Sequence, residues 1–212
     1  RDRSPSRGLG DVYKRQALKN QPDRLNVIYE RLVSVVRASN PERIVIISPR
    51  LRSDPAYLRD LVIPSAANGY LMAEWHFYAS GPSKENQRKL WTSGTAEERA
   101  LIQEKIDLAL QWQKETGIPT WVGAWMPGDY NEGDTYTIEE QVAFASYMTQ
   151  SLTDAGIPFA VNADQHFYDR EQRKWLEDMQ PVFAAIYGQQ ILPSQDLPED
   201  TGYHSAVPYV YR

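Results

Sequence analysis

A chain of 212 residues, 42% apolar and 11% aromatic, carries enough apolar material for one domain with a sizeable core. A net charge of −5 argues against nucleic acid as a partner. The absence of cysteine removes any disulfide framework or thiolate metal site, and no apolar run nears the ~18 residues of a membrane span.

Residues 1–16, RDRSPSRGLGDVYKRQ, differ in character from the rest of the chain. They hold five basic side chains against two acidic ones and show no apolar period. Without them the chain keeps 18 basic and 26 acidic residues, a net charge of −8. The stretch reads as a translated adapter junction, with a natural flexible basic arm as the alternative, and is set aside from the fold.

Leu25, Ile28, Leu32, Val35 and Val36 recur at helical spacing until Asn40-Pro41 stops the run. Arg43 to Pro49 then reads as a strand buried on both faces, and a short helix is expected around Ala56 to Val62. In the next strand, Gly69 to Tyr78, a period of two puts Glu74, His76 and Tyr78 on one face and Ala73, Trp75 and Phe77 on the other. Thr95-Ala-Glu-Glu98 has the form of a capping box. The helix it opens carries Leu101, Ile102, Ile106, Leu108, Ala109 and Trp112 to a stop at Gly117.

Gly117-Ile-Pro leads into a strand from Thr120 to Gly123, and Thr137-Ile-Glu-Glu140 repeats the capping-box signature. The next helix buries Val142, Phe144, Ala145, Met148 and Leu152 up to Gly156, where Gly-Ile-Pro recurs. In the last strand Phe159 and Val161 share one parity, and Asn162, Asp164 and His166 the other. Asp169 is expected to cap a final helix with Trp175, Leu176, Met179, Val182, Phe183 and Ile186 inside, ending at Gly188. Trp75 and Trp121 are expected to pack outward under helices. Residues 189–212, aperiodic and proline-bearing, read as a linker or loose tail.

Two copies of helix, Gly-Ile-Pro, strand make a βα repeat, and the count is four strands with their helices. That is half of an α/β (β/α)8 barrel, whose site lies at the carboxyl ends of the strands; a whole barrel takes about 250 residues.

Three passages, taken in order, resemble glycoside hydrolase family 5, the cellulase-like TIM barrels. Val36-Arg-Ala-Ser-Asn-Pro-Glu-Arg-Ile-Val-Ile-Ile is similar to the family's entry into its fifth strand. Glu74-Trp-His-Phe-Tyr78 matches the His-x-Tyr that ends the sixth, and Ile118-Pro-Thr-Trp-Val-Gly-Ala-Trp the seventh. The resemblance covers Leu25 to Gly188 and implies a partial barrel of strands 5 to 8 within residues 17–188, the amino-terminal half lying elsewhere.

By the same resemblance the activity is hydrolysis of O-glycosyl bonds in a β-glycan, in an extracellular or periplasmic setting. The partner is a polysaccharide or oligosaccharide, with no cofactor and no metal. The family employs two carboxylates about 5 Å apart, an acid/base and a nucleophile. The acid/base comes from an Asn-Glu-Pro that does not occur here, which implies a fragment. Ala124 stands where the nucleophile is expected. An engineered substitution, natural loss of activity and transfer of the role to another carboxylate all fit that departure, as does a non-catalytic carbohydrate-binding pseudoenzyme.

His76 and Tyr78 resemble the pair at the bond to be cut, and Glu74 is either a structural partner or a displaced acid. Trp125, next to Ala124, is a candidate stacking platform, and Asn162 and Asp164 are candidate partners for sugar hydroxyls. Asp129, Glu132 and Asp134 are loop acids, any of which could replace the missing nucleophile, though solvated loop acids are the commoner case. His76, His166 and His204 do not make a metal set by spacing, although His166 lies near Asp164 and Asp169. No phosphate-binding glycine loop or Gly-x-Ser-x-Gly elbow is present.

Overall fold

The computed structural model describes residues 18, 20–79, 89–128, 136–163 and 165–188. Residues 1–16 and 189–212, the acids Asp129, Glu132 and Asp134, as well as Asp164 and His204, lie outside the described residues.

A central parallel sheet is built from β1 (Val45–Ile47), β2 (Leu71–Tyr78), β3 (Thr120–Met126) and β4 (Phe159–Val161), in the order β1-β2-β3-β4. Helices α1 (Pro22–Ser39), α2 (Ala96–Thr116) and α3 (Ile138–Asp154) alternate with the strands. Both capping boxes form. Thr95 Oγ1 accepts from Glu98 N and Thr137 Oγ1 from Glu140 N, while each Glu side chain returns a bond to its cap's backbone N–H. Gly117 and Gly156 take positive φ at the ends of α2 and α3, which a side chain would oppose.

The repeated Gly-Ile-Pro has one job in both copies. The carbonyl of Pro119 accepts from Ala73 N at 3.0 Å and that of Pro158 from Val122 N at 2.9 Å. Each proline thus gives its carbonyl to the neighbouring strand at a point where its missing N–H costs no ladder bond.

The expected parity of β2 holds along its length: Leu71, Ala73, Trp75 and Phe77 are buried, and Met72, Glu74, His76 and Tyr78 are half-buried. The buried set faces the helices, where Phe77 and Trp125 meet Phe144 of α3. Trp91, ahead of α2, closes the same layer, edge-on to Phe144 at 5.2 Å.

Three expectations need correction. The Arg43–Pro49 segment yields only three strand residues, and Ile44 and Ile46 are 58% and 42% exposed, so β1 is buried on one face only. On α1 the residues turned inward are Leu25, Val33 and Arg37, while Ile28, Leu32 and Val35 face outward. The short helix expected around Ala56 to Val62 does form, as a 3-10 helix over Pro55–Asp60, preceded by Leu51, Arg52 and Ser53 in the left-handed region.

The long last helix is the third. Tyr168–Asp169 (β5) and Lys174–Trp175 (β6) pair antiparallel, and α4 covers only Gln180–Tyr187. Asp169 caps the tight turn between β5 and β6, its Oδ1 accepting from Glu171 N and Gln172 N at 2.9 Å each. An Asx turn offers the backbone an alternative to helix at that point. His166 accordingly lies in an exposed turn and not on a strand.

Arg37 shows what the helical period did not. It is 8% exposed, and its guanidinium donates to the carbonyls of Asn40, Arg43, Ala66, Ala67 and Tyr70, the last at 2.6 Å. One side chain thereby fastens the end of α1 to the approaches of β1 and β2.

Candidate active site

The carboxyl halves of β2 and β3 gather the predicted polar set. In the parallel register Glu74 pairs with Trp121 and His76 with Ala124, so these four share the face turned away from the helices. Glu74 Oε1 and His76 Nε2 are hydrogen-bonded. A carboxylate accepts only, so the imidazole N–H is the donor. Their side chains are 18% and 14% exposed, enclosed enough to be held and open enough to be reached. Tyr78 stands one step further along the strand, its ring edge-on to that of His76 with centroids 6.4 Å apart.

Ala124 takes its place through a register shift. The pairing of β2 with β3 slips between Trp75 and His76, and that of β3 with β4 between Val122 and Trp125. A bulge at Gly123–Ala124 reverses the side-chain alternation beyond it. Ala124 therefore joins His76 on the inner face, and Trp125, paired with Phe77, turns to the helices.

Trp125 is fully buried, with Phe144 at 6.0 Å and Phe159 at 5.9 Å between ring centroids. A ring enclosed there has no face to offer a sugar, so the platform expectation for Trp125 is overturned. The expectation for Trp121 fails in the opposite sense, since Trp121 shares the inner face with Glu74 and does not pack under helices. Trp75 does pack outward, and its Nε1 donates to Thr120 Oγ1 at 3.4 Å.

Asn162 follows β4, half-buried, its backbone N–H donating to the Trp125 carbonyl at 2.8 Å. It sits at the carboxyl end of the strand next to β3.

Gly123 is the residue that sequence reasoning missed. A Cβ at this position would overlap Cγ, Cδ and Oε1 of Glu74, so the Glu74 side chain lies directly on the Gly123 backbone. A glycine inside a strand marks a bulge or a close approach, and both occur here. Among the described residues no group of three or more His, Asp or Glu could hold a metal ion.

Known proteins match this chain in sequence and in fold. The family description Cellulase (glycosyl hydrolase family 5) fits residues 13–165. The chain belongs to glycosyl hydrolase family 5. Endoglucanase H of Acetivibrio thermocellus is 23% identical over 176 residues, which cover 81% of this chain and 19% of that protein.

Among solved structures, Thermotoga maritima Cel5A in complex with cellobiose has a TM-score of 0.63 at 18% identity, covering 78% of this chain and 55% of that one. The cellulose synthase subunit Z of Clostridioides difficile has a TM-score of 0.63 at 16% identity, over 78% and 56%. This family 5 chain thus spans about a fifth of the curated relative and about half of the solved chains. The fold is a partial TIM barrel whose four parallel strands carry their helices on one side.

Proposed function

We propose that this family 5 chain supplies the sugar-facing strands 5 to 8 of a β-glycan site, within residues 17–188, in an extracellular or periplasmic setting. The observation that carries the reading is the convergence of Glu74, His76 and Ala124 on one face at the strand ends. His76 and Tyr78 would meet the sugar at the point of cleavage, and Asn162 and Asp164 its hydroxyls further along. The substrate class is a cellulose-like polysaccharide or oligosaccharide, cut at an O-glycosyl bond.

Ala124 favours a second reading. A methyl group cannot attack an anomeric carbon, so a retaining reaction could not run through residue 124. A site that grips glycan without cutting it fits that residue, as does a hydrolase whose nucleophile comes from another position.

Calorimetric titration of the chain with cellotetraose, beside a reducing-end assay on β-glucan, separates these readings. Binding without turnover, weakened about tenfold in His76→Ala by loss of about 1.4 kcal/mol, supports the binding protein. Turnover supports the hydrolase with a displaced nucleophile. Neither binding nor turnover would sink both.

A further inference from the structure

We infer that Glu74 is a positioning residue for His76, holding the neutral imidazole in the Nε2–H tautomer so that Nδ1 is left as a hydrogen-bond acceptor. Glu74 starts two residue pairs deeper in the sheet than His76, at the level of Trp121. Its side chain climbs along the inner face, across the Gly123 backbone, to reach Nε2. The path is open because residue 123 has no Cβ.

An ionised carboxylate has no proton to give, so the shared proton must sit on Nε2 in the neutral ring, and the other nitrogen then carries a lone pair. Among the described residues no protein group is bonded to Nδ1, and the imidazole stays 14% exposed beside Ala124. A ring fixed in this way accepts a hydrogen bond from a hydroxyl at Nδ1, whereas the opposite tautomer would donate one.

Gly123 and Glu74 act as a pair. With alanine at 123 the carboxylate would be pushed off its path, and with an apolar side chain at 74 the proton on His76 would be free to move. The use of Nδ1 on a sugar hydroxyl rests on the carbohydrate reading of the site; the tautomer itself does not.

Long-range 15N–1H correlation spectra of the full chain with 15N-labelled histidine, in mildly alkaline buffer, test the assignment. His76 is expected to show a pyrrole-like Nε2 and a pyridine-like Nδ1. Glu74→Met and Gly123→Ala are each expected to collapse that pattern to averaged shifts, and Glu74→Gln, which keeps an acceptor, to recover it in part. A wild-type ring protonated on Nδ1, or ring shifts unchanged in both Glu74→Met and Gly123→Ala, would overturn the proposal. Where one variant fails to fold, the wild-type spectrum and the other variant still decide. Cellotetraose should move the wild-type Nδ1 resonance; if it does not, the carbohydrate reading of His76 fails while the tautomer pattern stands on its own.

Discussion

Trp125 and Arg37 are two side chains whose loss the molecule should feel strongly. Trp125 fills the layer between β3, α3 and β4, so Trp125→Ala should cost about 3–5 kcal/mol in urea unfolding through the cavity it leaves. Its buried indole N–H has no acceptor among the described residues. Trp125→Phe deletes that unpaired donor along with part of the ring, and should cost clearly less than Trp125→Ala. A Trp125→Ala protein that unfolds like wild type would contradict the placement. Arg37→Met strands several carbonyls that a charged donor satisfies, and should cost about 1.5–3 kcal/mol by the same measurement.

At the scale of elements, the two capping boxes set where α2 and α3 begin, and the second is tied to more than its own helix. Lys89 Nζ donates to both carboxylate oxygens of Glu140, at 2.7 and 2.6 Å, while Glu140 also accepts from Thr137 N. Burial alone would raise the Glu140 pKa, but these bonds outweigh it and hold the carboxyl below the usual glutamate range.

A carboxyl titrating lower in the folded state stabilises the fold above its unfolded pKa of about 4.3 and loses that contribution as pH falls through the lowered value. Glu140→Gln should therefore lower Tm at neutral pH and narrow the gap to wild type in acid. A gap independent of pH would rule the ion pair out as its source. Thr95→Ala and Thr137→Ala should each cost about 1 kcal/mol, read from denaturant midpoints.

For the whole molecule the telling feature is apolar surface at one edge of the sheet. Leu32 and Val35 on α1 are 54% and 71% exposed, and Ile44 and Ile46 at the edge strand β1 are uncovered as well. In a closed barrel both the edge strand and the adjoining helix face would have neighbours. Left open, this edge should drive self-association, which light scattering of residues 17–188 would show as a mass above the monomer. Leu32→Lys with Val35→Lys should lower that mass, and a clean wild-type monomer with cooperative unfolding would count against the open-edge reading.

The sequence by itself determined what depends on neighbours a few residues away. Helical spacing, the Thr-x-x-Glu caps, the Gly-Ile-Pro stops and the alternation of β2 are written in local geometry, and with them came the half barrel and the inner placing of Glu74 and His76. The tertiary structure alone decided what hangs on contacts between strands. Trp125 was legible as an aromatic near the strand end, but the bulge at Gly123–Ala124 turned it to the helices. That bulge is a matter of pairing with β2, where the Glu74 side chain needs the space over Gly123. The helical pattern of Trp175 to Ile186 likewise gave way to β5 and β6, because the Asp169 turn and the Tyr168–Trp175 pairing satisfy backbone groups that a longer helix would otherwise have held. On α1 the run Leu25, Ile28, Leu32, Val35 and Val36 was plain in the sequence, but packing buried Leu25 with Val33 and left Leu32 and Val35 outside, since a period says which residues recur along a helix but not which face meets the sheet.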